Sequence, residues 1–181
     1  MARPRHAARS FLAVLTVVIL PTGPAAAAPC WAPPVEAPIT DPFRAPECRW
    51  CPGNRGLEYG TRRGATVSAV AAGRVTFAGV VADVRYAVVE HADGRRVTYG
   101  GLADLAVGSG DRVVRGARIG TAAGPIHLGV REGDRYVDPE PFIGEWRGVV
   151  RLVPTDGAAP APAPAPRLVC AASRGFRTRS G

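Results

Sequence analysis

Glycine and proline recur through this chain too often for long helices to form. The sequence carries 22 Gly and 18 Pro in 181 residues, and beyond residue 28 no window of a dozen residues combines helical periodicity with freedom from both. Short alternating or β-branched runs remain between these breakers. Residues 66–70 and 74–78 flank Ala71-Ala72-Gly73 and are expected to pair as a hairpin. Residues 86–90 and 95–99 flank His91-Ala92-Asp93-Gly94, whose Asp-Gly is a strong turn signal, and His91 is expected there as a solvated loop residue. Residues 112–114, a run around Ile119, residues 126–131 and Tyr136-Val137 read as further strands between glycine turns. The expected class is all-β, a sandwich or barrel of short strands.

The length suits one domain with a real core. Residues 1–28 read as a signal peptide, with Arg3, Arg5 and Arg9 ahead of the apolar run 11–20 and small residues at 25–28. Such a run is short for a membrane span, and the protein is expected to be exported to the cell envelope or beyond. Residues 29–46 form a Pro-rich lead-in, residues 47–150 the β domain, and residues 151–181 an Ala-Pro linker and basic tail expected to be disordered apart from Cys170.

The net charge of +8 suggests a nucleic-acid partner until it is divided along the chain. Residues 30–156 hold 16 Arg against 15 acidic residues, so the folded part carries only +1. Nucleic-acid binding is therefore not expected, because such domains carry a basic face rather than a basic end. Arg167, Arg174, Arg177 and Arg179 suit the tail to unspecific contact with anionic polymers or lipid head groups.

Cys30, Cys48, Cys51 and Cys170 are even in number and all lie in the exported part, which favours two disulfides. Of three possible pairings, the expected one closes a tight Cys48–Cys51 loop and ties the termini through Cys30–Cys170. The segments 63–75 and 109–120 look like two copies of one unit, a Gly-polar-x-Val opening followed by x-Gly-x-x-hydrophobic. That pattern is shared with barrel-sandwich hybrid folds, including biotin and lipoate carriers. All 23 basic residues are Arg, and without a lysine to modify, covalent carriage is excluded.

One polar constellation stands apart. In an extended segment Asn54, Gly56 and Glu58 share a face, and a strand carrying His127 to that face would complete a three-residue cluster. Each member also has a plainer reading: Asn54 as a turn amide, Glu58 as a partner of Arg55 or Arg131, and His127 as an interior histidine.

Five motifs in order resemble the lysostaphin/LytM-type zinc metalloendopeptidases, over about residues 38–143. They are Gly53-Asn54-Arg55-Gly56-Leu57-Glu58, the run 64–75, Thr98-Tyr99-Gly100-Gly101-Leu102, Pro125-Ile126-His127 and Tyr136-Val137-Asp138-Pro139. The resemblance implies a duplicated hybrid motif with a LytM-type β-sheet core, and a family activity of cutting peptide cross-links in peptidoglycan with zinc. It also implies where that chemistry should sit. The family's first two zinc ligands, His and Asp, fall on Asn54 and Glu58, and the third, a His, falls on His127. The two assisting histidines fall on Gly101 and Pro125, neither of which can carry a side-chain proton.

The expectation is thus a LytM-like pseudoenzyme with a degenerate zinc site. It would act as a monomer in peptidoglycan binding or in regulating a cell-wall hydrolase. No cofactor is expected, zinc being the one the cluster leaves open. Two further readings stay open: an active zinc endopeptidase, and an envelope structural module working through its basic tail.

Overall fold

The computed structural model describes residues 30–48, 50–148 and 162–170. The expected signal segment and most of the linker and tail lie outside the described residues. The described residues form eleven strands: β1 (Ile39–Asp41), β2 (Gly56–Tyr59), β3 (Thr66–Ser68), β4 (Gly73–Val81), β5 (Val84–His91), β6 (Arg95–Leu105), β7 (Arg112–Val113), β8 (Arg118–Glu132), β9 (Arg135–Val137), β10 (Glu145–Arg147) and β11 (Arg167–Val169). The only helical element among the described residues is a 3-10 turn over Glu140–Phe142. The fold is all-β, as the glycine and proline spacing predicts.

Strands β1 to β9 make one antiparallel sheet in the order β1-β2-β8-β6-β5-β4-β7, with β3 and β9 pairing further stretches of β8. Alternation sorts the two faces. Leu57 and Tyr59 of β2, Val97 and Tyr99 of β6, and Ile126, Leu128 and Val130 of β8 are buried together on one face. Burying each such side chain stabilises the fold by about 1.5–3 kcal/mol. The residues between them, including Glu58 and His127, are left on the opposite face.

The two sequence repeats interlock rather than each folding on itself. Ala69 exchanges backbone bonds with the second repeat, its N–H donating to Ala117 O and its carbonyl accepting from Gly116 N, both at 2.8 Å. Val75 does the same with Asp111 and Gly110, again at 2.8 Å. The expected 66–70/74–78 hairpin is therefore corrected: β3 pairs with β8, and β4 pairs with β5 and β7. Val70 N donates to the buried Tyr99 hydroxyl at 2.9 Å, which takes the end of the first run away from β4 as well.

The second hairpin forms as expected, with Gly94 at φ +80°. His91, however, is buried at 6% exposure instead of solvated. Its Nδ1 donates to Ala72 O at 2.8 Å and its ring sits 5.3 Å from that of Trp31. The β4–β5 turn carries no glycine; Ala82 and Asp83 turn the chain at φ 47° and 65°.

Both disulfides pair as expected, Cys48 with Cys51 and Cys30 with Cys170. The second clasps more of the tail than the sequence suggests, because residues 167–169 form β11 against β10 and are not disordered. Trp31, beside Cys30, closes the clasp by donating its N–H to Phe142 O at 2.9 Å and accepting from Gly144 N at 2.8 Å.

Candidate functional site

Register brings two of the three cluster residues together. Glu58 lies opposite His127, Gly56 opposite Gly129, Gly100 opposite the other side of His127, and Tyr86 opposite Gly100. His127 donates from Nδ1 to Glu58 Oε1 at 2.6 Å, with the two side chains 28% and 30% exposed. The imidazole lies flat because glycine is beneath it. A Cβ on Gly56 would stand 2.7 Å from its Cε1 and 2.8 Å from its Nε2, and one on Gly129 would stand 3.1 Å from Nε2. The Tyr86 ring lies over Gly100 in the same way, with 2.6 Å from Cε1 to a built Cβ.

Asn54 is engaged elsewhere. It is buried at 6% exposure, and its Nδ2 donates to Asp41 O at 3.3 Å and Pro42 O at 3.1 Å. Its Oδ1 accepts from Gly56 N at 3.2 Å. Asn54 and Arg44 also exchange backbone bonds at 2.9 and 3.0 Å. The side chain fastens the Pro-rich lead-in to the start of β2, and the one oxygen it could offer a metal already holds an N–H.

Gly101 and Pro125 meet through the backbone. Gly101 sits at a bulge, where the β6–β8 register shifts between Gly100 and Leu102, with φ +81°. A Cβ there would come within 2.5 Å of Pro125 O. The same bulge explains how β8 runs through Pro125, since a residue without an N–H is tolerated where the ladder is broken.

These donors do not fit a catalytic zinc. Such a site needs three protein ligands and an open position. Among the described residues no three His, Cys, Asp or Glu side chains cluster to hold a metal ion. Bonds of roughly 2.0–2.1 Å in a tetrahedron set neighbouring donors about 3.3 Å apart, whereas the Glu58 and His127 donors stand 2.6 Å apart with a proton between them.

The face continues past this pair into a cleft that motif reading did not find. It is lined in part by Phe43, Trp50, Arg55, Arg131 and Tyr136. Alternation along β8 offered one signal, since Arg131 shares the face of His127 and Gly129. Trp50, inside the Cys48–Cys51 loop and 85% exposed, offered another.

The sequence model of peptidase family M23 matches residues 52–139. Similar solved structures include Csd3 of Helicobacter pylori, at 23% identity and TM-score 0.58, covering 64% of this chain and 35% of that one. The catalytic domain of the antimicrobial peptidase lysostaphin from Staphylococcus simulans is 21% identical at TM-score 0.51, covering 59% and 91%. A chain of the SpoIIQ–SpoIIIAH pore-forming complex is 20% identical at TM-score 0.56, covering 64% and 92%. At these identities the likeness is one of fold, and this chain spans about a third of Csd3. A comparison with curated proteins returns no match.

Proposed function

The β domain is of the lysostaphin/LytM type, its residues 52–139 matching peptidase family M23, and on that premise we propose that it binds peptidoglycan peptides without cutting them. The observation carrying this reading is the closed Glu58–His127 hydrogen bond beside an Asn54 whose amide is spent on backbone groups. With Gly101 and Pro125 at the two assisting positions, no side chain there can move a proton. The sheet face on which His127 lies over Gly56 and Tyr86 over Gly100 offers flat rings and hydrogen-bonding edges to an extended peptide.

Export agrees with two disulfides and no free cysteine among the described residues. No helix among those residues is long and apolar enough to cross a membrane. The test uses mature protein incubated with purified peptidoglycan sacculi. Pelleting with the wall, substoichiometric zinc and no released peptide are expected. Stoichiometric zinc lost on His127→Ala, together with cleavage of cross-linked peptides, would overturn the reading. Failure to pellet, with a changed rate for a wall hydrolase added in trans, would favour the regulatory role in its place.

A further inference from the structure

Arg131 follows His127 by four residues on the same strand and face, which places it about 13 Å away at the strand rise. It opens onto a cleft of about 1290 Å³. Tyr136 anchors the positive charge there: the Arg131 guanidinium lies 5.0 Å and that of Arg55 5.8 Å from its ring centroid. The Arg131 Nε is buried with no hydrogen-bond partner among the described residues. Its Nη2 reaches Asp134 Oδ1 at 3.2 Å, but the Asp134 side chain is 100% exposed, so that ion pair is screened and easily exchanged for another carboxylate. Arg55 is steadied by donating from Nη2 to Cys51 O at 3.3 Å. Apolar surface stands next to these cations, with Phe43 and Cys48 forming a wall and Trp50 a largely exposed lip.

We propose that this cleft is a carboxylate subsite for an extended peptide. Arg131 and Arg55 take its terminal carboxylate, Trp50 and Phe43 cover its last side chain, and the chain runs back towards His127. The inference rests on the groove-binding reading and gives it a polarity and a length. A planar guanidinium fork matches a carboxylate, and about 13 Å corresponds to roughly four extended residues. The aromatic lip favours a peptide over a bare anion, because it offers area to the atoms behind the carboxylate.

The test titrates acetyl-tetra-alanine with a free carboxylate, and its C-terminal amide, into the full mature chain by calorimetry and tryptophan emission. The acid is expected to bind at least about tenfold more tightly than the amide, more weakly as salt rises, and with a blue shift that Trp50→Phe removes. Arg131→Gln should bring the acid to the level of the amide, and Arg131→Lys should fall between. Equal binding of acid and amide overturns the proposal without any variant having to fold. So does an absence of peptide binding by a protein that still pellets with sacculi, in which case the groove reading survives. If neither sacculi nor peptide bind, both fall together.

Discussion

Asn54 shows how fully one polar side chain of the candidate cluster can be committed to holding backbone. Its amide holds two carbonyls of the lead-in and the Gly56 N–H, so Asn54→Ala leaves buried polar groups unpaired. A loss of about 1–3 kcal/mol is expected, measured as a lower urea midpoint. Asn54→His with Glu58→Asp should recover zinc binding in equilibrium dialysis, at a similar cost in stability. A double variant that takes up no zinc would show that position 54 cannot turn towards His127. Peptidase activity is not expected to accompany the metal. Two assisting positions would still lack histidine, Gly101 and Pro125, and Gly101→His puts a side chain at φ +81° against Pro125 O, with strain of order 1–3 kcal/mol against it. The Glu58–His127 contact was legible from alternation and motif order. The Asn54 bond to the Gly56 N–H fits its plainer reading as a turn amide, but its hold on Asp41 and Pro42 was not legible, because they sit in a segment with no periodic pattern to reveal that it folds back on β2.

Strand pairing was legible where a turn announces itself and obscure where it does not. Asp93-Gly94 marked the β5–β6 hairpin correctly. The run 66–70 has the same local look, yet β3 is claimed by β8 because the two repeats satisfy each other's backbone groups. Local pattern says that a run is a strand and not which strand it meets. The β4–β5 turn escaped notice for a related reason: Ala82 and Asp83 hold left-handed φ values normally given to Asn and Gly. Replacing them by Ala82→Asn with Asp83→Gly should stabilise the domain by about 1 kcal/mol, read as a rise in Tm. An unchanged or lower Tm would mean that the present turn carries no strain.

Long-range ties govern how the whole domain answers to acid and to reduction. The Thr121 hydroxyl, donating to Asp104 at 2.6 Å, holds that carboxyl below its usual range, with the Thr121 N–H and Arg118 assisting. Arg95 does the same for Glu132, with Arg135 assisting. A carboxyl with a depressed pKa in the fold protonates later than in the unfolded chain. The stability it contributes is complete above about pH 4, the unfolded value, and is lost as pH falls through the folded one. The urea midpoint should therefore fall as pH drops below about 4, less steeply in Asp104→Asn.

The disulfides should separate just as clearly. Cys30–Cys170 closes a loop of sequence separation 140, against 3 for Cys48–Cys51. Loop-closure entropy assigns about 5 kcal/mol to the first and about 1–2 kcal/mol to the second. The sequence allowed this pairing but could not show its reach. The long bridge also fixes β11 on β10 and the backbone of Trp31 between Phe142 and Gly144, so it ties together three segments distant in sequence. Cys30→Ala with Cys170→Ala should lower the urea midpoint well beyond Cys48→Ala with Cys51→Ala, and should red-shift emission from Trp31, which is 2% exposed in the intact protein. An unchanged midpoint with the red shift present would mean that the clasp opens separately from the nine-stranded sheet, which would then hold the Glu58–His127 face without it.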